Sequence, residues 1–523
     1  MKALPFLLAI ALAARAQPPP ATLSQLPEYK NWGWGEVAVL ENGLITLAVV
    51  PRIGARVMQY DLGGHQGLFL NPAELGKLYE PTRTSPWHNY GGFKNWPAPQ
   101  DRWGWPPPPI LDAGVYGNRV AMDTPDSVAL WVSSPVEQWK TPNLRFERRL
   151  TLYRGSSRVR VEQTLVNEGA QAASWSVWDI TQHRVHHPGE RDFENFWVYF
   201  PLNPESRYGA AGVRTTEESN AWKGEVAPGV FGVQFLPENQ KLFADSPEGW
   251  ICYADEREGY IYAKTFDLFA GQEYPDQGAH VEVWLNKDPP YLEVEVVSPV
   301  AELAPTGGRY TFVEDWWAAR VKGPILRVNP AGALARPLVV EEGLARASCG
   351  VFHQGTAQVV LLDEVGQQVG QGALHPVTPL ETLVLEEKLD LPPGAYSAEL
   401  RVMDHQGGLV GVLDRVLLPE RTAVLEEEAS PSAFVLGQNY PNPFNPATTI
   451  AYQLEREGQV ELAVYNLAGA RLRTLVMARQ PAGSYRVQWD GRDTQGRQAA
   501  SGIYFYRLST PLGQAVKRMV LAR

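Results

Sequence analysis

The sequence predicts a mostly β protein, with one large sandwich followed by smaller ones. Three observations predict it. Short runs of strand-forming residues recur along the chain: LITLAVV at 44–50, VALWV at 128–132, RVRVEQTLV at 158–166 and HVEVWL at 280–285. Many alternate apolar and polar residues, as half-buried antiparallel strands do. The 47 Gly and 43 Pro punctuate these runs with turns. Long helical windows of apolar periodicity are hard to find. At 523 residues the chain has room for several sizeable cores. A net charge of −11 argues against a nucleic-acid partner, because phosphate binding needs a basic face.

The elements follow in order. Residues 1–16 read as a signal peptide: Lys2, an apolar run over 3–12, and a small-x-small Ala14-Arg15-Ala16 cleavage site. The run is too short to span a bilayer. No other candidate span follows, so no stable membrane span is expected. Cleavage after Ala16 leaves Gln17 and an exported chain; a membrane anchor is the alternative. Export permits a disulfide, but Cys252 and Cys349 are the only cysteines and large cores make a staple unnecessary. Two buried free thiols are expected.

Residues 25–322 form the first unit. Nearly three hundred residues of short strands suit a large sandwich better than a small barrel. Residues 325–419 form a second unit of about seven short strands, the pattern of an immunoglobulin-like sandwich. It holds no cluster of His or carboxylates. Residues 420–433 carry an acidic linker (ERTAVLEEEASPS begins at 420). Residues 434–523 form the third unit. There VELAVYNLAGARLRTLV reads as strand, glycine turn, strand, and Tyr504 and Tyr506 share one strand face. No internal repeat suggests a solenoid.

Residues 91–109 (GGFKNWPAPQDRWGWPPPP) hold three tryptophans and four consecutive prolines. That proline density argues against a helix and against a central strand, so a loop is expected. Indole rings stack on the C–H faces of sugars, and their N–H groups reach hydroxyls. A proline-stiffened loop loses little entropy on ordering around a ligand. Trp96, Trp103 and Trp105 are therefore candidates for the lining of a carbohydrate cleft. Lys94, Gln100, Asp101 and Arg102 would bond hydroxyls or a uronate carboxylate. The alternative is that the indoles pin the loop onto the sandwich as a mini-core.

Other constellations are weak. His183, His186, His187 and Glu190 form no recognised zinc spacing and read as a solvated loop after a strand. No metal and no cofactor is expected. Neither a GxSxG elbow nor a P-loop is present.

The C-terminal unit carries a specific resemblance. Gln438-Asn439-Tyr440-Pro441-Asn442-Pro443-Phe444-Asn445-Pro446, with Thr448-Thr449-Ile450, resembles the opening of C-terminal sorting domains of the type IX secretion system. These are also similar to the Ig-like modules of flagellar hook-assembly proteins. Val464-Tyr465-Asn466-Leu467-Ala468-Gly469, Gly483-Ser484-Tyr485, Trp489-Asp490-Gly491 and Ser501-Gly502-Ile503-Tyr504-Phe505-Tyr506 continue it, as does Lys517-Arg518-Met519-Val520-Leu521. The resemblance implies a bacterial protein that engages the type IX secretion machinery and ends secreted or on the cell surface. A plain Ig-like module without a sorting role is the alternative.

The first unit has its own resemblance. Trp87-His88-Asn89-Tyr90-Gly91-Gly92-Phe93-Lys94-Asn95-Trp96 looks like the His-Gly-Gly…Phe-x-Lys…Trp stretch of the aldose 1-epimerase (galactose mutarotase) superfamily. Ile180-Thr181-Gln182-His183 resembles its Leu-Thr-Asn-His element. Tyr291-Leu292-Glu293-Val294-Glu295 stands where its relatives carry a catalytic glutamate. The resemblance implies a β-supersandwich over 25–322, followed by two Ig-like β-sandwiches. There are departures: Asn89-Tyr90 interrupts His-Gly-Gly, Gln182 replaces Asn, and Glu293 competes with Glu295.

Mutarotation needs a base for the anomeric hydroxyl and an acid for the ring oxygen, their pKa values set apart by environment. The resemblance implies His183 and Glu295 in these roles, with His88 polarising an oxygen and Gln182 and Glu293 contacting sugar. Glu293 and Glu295 lie two apart, so one strand face carries both, either solvated or as a pocket wall. The expected function is carbohydrate recognition, with or without acid/base catalysis. A polysaccharide lyase or hydrolase, drawing on Tyr116, Tyr199 or Lys94, is an alternative. A non-catalytic surface or adhesion protein is another.

Overall fold

In the computed structural model, two long antiparallel sheets dominate the first unit. The structure describes residues 17–418, 434–437, 439, 442, 444–454, 456–466, 471–511 and 513–521. The expected signal peptide and the 420–433 linker lie outside the described residues. So do Gln438, Tyr440, Pro441, Pro443 and Leu467-Ala468-Gly469 of the C-terminal resemblance.

The first sheet runs Thr22–Leu26, Val37–Glu41, Ile45–Val50, Arg56–Leu62, Phe93–Ala98, Ala173–His183, Pro290–Val297, Val281–Lys287, Gln240–Ala244, Val213–Thr215. The second runs Lys223–Ala227, Val230–Gln234, Phe196–Pro201, Trp250–Asp255, Tyr260–Phe266, Gly308–Arg320, Val159–Asn167, Leu144–Tyr153, Ser127–Ser133, Gly117–Thr124. Between them lies one continuous apolar core, including Leu292, Val294 and Val296 from the first sheet and Phe312 and Trp316 from the second. These residues alternate along their strands because the side-chain period is two.

One expectation needs correction. The proline-rich stretch contains a strand, Phe93–Ala98, deep in the first sheet. Ala173–His183 pairs with it along its whole length, but Arg56–Leu62 meets it only at Val57↔Phe93. Past Phe93 the strand therefore has one open side, where a proline without an N–H is tolerated. Residues Pro109–Ala113 form a short helix that takes up the end of the proline run.

Residues 327–417 form a four-stranded and a five-stranded sheet around their own core. This sandwich packs directly on the first. A shared apolar cluster joins Trp317, Ala319 and Val321 to Ile325, Ala333 and Phe352. Trp317 stacks on Phe352 at 5.0 Å, and the Phe352 carbonyl accepts from the Ser157 amide at 2.9 Å. Met1–Glu420 accordingly forms one compact unit. Cys252 and Cys349 are both buried and unpaired.

The second unit, Arg421–Arg523, is a β-sandwich of a three-stranded and a four-stranded sheet. Trp489, Tyr504 and Tyr506 fill its core with Phe444 and Leu521. The Tyr506 hydroxyl donates to the Gly437 carbonyl at 2.8 Å and accepts from the Asn439 amide at 2.9 Å. Among the described residues no helix is long and apolar enough to cross a membrane.

Candidate functional site

A cavity of about 450 Å³ opens on the first sheet. Five indoles wall it: Trp87, Trp96, Trp105, Trp178 and Trp284. Strand register assembles them. Trp178 lies opposite Trp96, Gln182 opposite Glu293, Glu293 opposite Trp284, Glu295 opposite Glu282, and Lys241 opposite Trp284. Five neighbouring strands thus present alternate residues on one face, and these meet as cross-strand neighbours. The residues between them, Asp179, Thr181 and His183, turn toward the second sheet.

Two ammonium groups knit the carboxyls together. The Lys94 Nζ bonds Glu293 Oε1 at 3.0 Å, and Gln182 Nε2 donates to the same oxygen at 2.8 Å. That Nζ also sits 4.6 Å from the Trp96 ring centre and 5.6 Å from Trp87. The Lys241 Nζ lies 2.8 Å from Glu282 Oε2 and 2.5 Å from Glu295 Oε2. The Trp178 indole donates to that Glu295 oxygen at 2.6 Å. Lys94, Glu282, Glu293 and Glu295 are all buried.

Their ionisation is pulled apart. Burial pushes Glu282 up to about 8, against the attraction of Lys241. Burial also raises Glu295, with Glu293 adding repulsion and Lys241 opposing. Burial would raise Glu293 too, but Lys94 and Lys241 outweigh it and hold this carboxyl below the usual range. Burial raises Asp276 as well, with Lys241 opposing. One cavity therefore holds a carboxylate and a carboxylic acid at neutral pH, the arrangement acid/base chemistry uses.

The sequence candidates divide. Lys94, Trp96, Gln100, Trp105, Gln182, Glu293 and Glu295 belong to this cavity or its supporting network. Trp105 is 57% exposed at the lip and meets Trp96 and Trp87 edge-on. Trp103 is buried beneath, donating its indole N–H to the Pro97 carbonyl at 2.7 Å. The loop is thus both lining and mini-core. Asp101 is exposed and lies off the cavity wall, and Arg102 stacks on Trp175 at 3.9 Å. His88 stacks on Tyr79 at 3.5 Å and lines a separate recess of about 30 Å³.

The pairing of His183 with Glu295 is corrected by the register. His183 lies on the opposite strand face, stacked on Tyr253 at 4.2 Å, with Nδ1 on the Gly67 carbonyl at 3.2 Å. Burial lowers its pKa to about 3, so it stays neutral. Asp179 and Lys264 form a buried ion pair on the same inner side. His187 is not solvated either. Its two ring nitrogens meet Asp192 at 2.5 Å and Asp255 at 3.0 Å, and Arg184 joins Asp255 at 3.3 Å. Among the described residues no group of His, Cys, Asp and Glu is placed to hold a metal ion. Tyr116 and Tyr199 are buried away from the cavity, bonded to the Leu111 carbonyl and to Glu256.

Sequence reasoning missed Lys241, Asp276, Trp178, Glu282 and Trp284. The run HVEVWL did place Glu282 and Trp284 on one face. Which face borders a cavity depends on the neighbouring strands.

Residues 445–513 match the FlgD Ig-like domain family. No curated protein matches the chain. Among solved structures, the chain is similar to the Slr1438 protein of Synechocystis sp. PCC 6803 at 13% identity and a TM-score of 0.38, over 57% of this chain and 99% of that one. It is also similar to a galactose mutarotase related enzyme from Lactobacillus acidophilus at 10% identity and 0.36, over 55% and 98%. A third is a galactose mutarotase-like protein from Clostridium acetobutylicum at 11% and 0.37, over 58% and 99%.

Proposed function

We propose that the cavity binds a sugar and opens its ring by acid/base catalysis. The observation that carries this reading is the coexistence of five indoles with carboxyls of opposite ionisation in one cavity. The indoles offer flat faces to a pyranose. The Glu293 carboxylate takes the proton of the anomeric hydroxyl. The Glu282 carboxylic acid gives its proton to the ring oxygen as the bond from that oxygen to the anomeric carbon breaks. An open-chain aldehyde results, and closure on its other face returns both protons. Lys94 and Gln182 fix the base, and Lys241 holds the acid.

The test is NMR of anomeric-proton exchange with purified protein and freshly dissolved glucose or galactose. Exchange faster than in buffer is expected. Glu293→Gln and Glu282→Gln should each slow it by roughly 10²-fold or more, the usual size of a general acid/base contribution. Exchange no faster than buffer, with indole fluorescence still reporting sugar, would leave a binding module without catalysis.

We also infer that the chain is exported and that residues 434–523 act as a type IX sorting signal. The motif resemblance around residues 438–450 supports this. Expression with and without residues 434–523 in a host carrying that machinery tests it. Retention in the periplasm only after truncation is expected, and equal export of both forms would refute it.

A further inference from the structure

Beside the cavity lies a second depression with different chemistry. A groove of about 1030 Å³ is lined by Thr215, Thr216, Asn220, Asn239 and Gln240, among other polar groups. Glu217 lines both the groove and the indole cavity. The two spaces therefore share a wall at Glu217.

Their linings differ in kind. The cavity wall is mainly aromatic and charged, with the amides of Gln100 and Asn286 among them. The groove wall is hydroxyls, amides and charged side chains, with no aromatic residue. Gln240 is only 1% exposed. Its Nε2 donates to the Glu217 carbonyl at 2.7 Å, but its Oε1 has no hydrogen-bond partner. A buried acceptor left open at the wall of a groove suits a hydroxyl donor from a ligand. The charges there nearly balance. Lys223 and Lys287 stand against Glu217, Glu218 and Glu238. The Lys223 ammonium is taken up by the Ser219 and Ala221 carbonyls at 3.2 Å. A polyanion finds little free positive charge in such a groove, and an apolar substituent would strand its polar groups.

We propose that this site takes an oligosaccharide, a neutral chain of linked sugars. One terminal ring occupies the indole cavity, and the following rings lie in the Thr215–Gln240 groove. The proposal rests on the sugar reading of the cavity. It adds that the ligand is a polymer end. A cavity of about 450 Å³ lies within the ~300–1,000 Å³ of ordinary small-ligand sites, so it can seat a terminal sugar alone. The groove adds contacts that a monosaccharide cannot reach.

Titration calorimetry on the full chain tests this. The probes are glucose and galactose, and their 1,4-linked oligomers of two to six units. Oligomers of three or more units should bind at least tenfold tighter than the monosaccharide. Thr215→Trp places bulk at an exposed groove position, and Gln240→Met removes the open acceptor. Both should bring oligomer affinity down toward that of the monosaccharide and leave monosaccharide affinity within twofold. Thr215 is exposed, so the first variant should fold even if the second does not. Equal affinity for monomer and oligomers would overturn the groove and leave the cavity reading intact. Binding of no sugar of any length would overturn both.

Discussion

His183 offers a sharp test, because sequence resemblance places it in catalysis and the structure places it between the sheets. The perturbation is His183→Phe. It keeps a flat ring against Tyr253 and removes the titrating nitrogens. In the folded chain the imidazole does not protonate until about pH 3, whereas the unfolded chain protonates it near 6.5. Between these values the unfolded state binds the extra proton, so stability is present above pH 6.5 and is lost as pH falls. At pH 5 the loss from this group is about 2 kcal/mol relative to pH 7.5. The variant gives up the bond to the Gly67 carbonyl, roughly 1 kcal/mol at either pH, so that term cancels from the difference. Urea unfolding at pH 5 and pH 7.5, followed by tryptophan fluorescence, measures it. The wild type should lose about 2 kcal/mol more than the variant on acidification. Equal losses would refute the burial argument. A variant of unchanged pH 7.5 stability that no longer exchanges anomers would show that the imidazole reaches the sugar.

Four further outcomes are expected. Trp105→Ala should weaken sugar binding roughly 3- to 10-fold, matching ~0.5–1.5 kcal/mol for a stacking contact, with an unchanged melting temperature. Trp103→Ala should instead destabilise the fold by about 3–5 kcal/mol in urea unfolding, because its indole is buried and bonded to Pro97. Anomer exchange should fall as pH rises through about 8, because Glu282 then loses the proton it donates, and a rate profile flat from pH 7 to 9 would remove Glu282 from that role. Glucosamine should bind at least tenfold tighter than glucuronate in a calorimetric comparison. Both lysines are already paired with glutamates, while Glu217 and Asp276 add negative charge to the wall.

The sequence by itself determined a good deal. The apolar run LITLAVV and the alternation in RVRVEQTLV marked the strands, and composition marked the class. The spacing of Glu293 and Glu295 put both on one face. These are local properties, because a strand's side chains alternate whatever lies beside it. Tertiary structure decided the rest. Gln182 and His183 are adjacent in sequence, yet one meets Glu293 and the other Tyr253. A strand of polar and apolar residues buried on both sides gives no sign of which face meets the second sheet. Trp103 and Trp105 are two residues apart in one loop, yet one is core and the other is lip. Lys241 and Glu282 reach Glu295 only because three strands from distant parts of the chain lie side by side in register. Register between strands is set by the sum of long-range packing and hydrogen bonding, and no short stretch of sequence carries that sum.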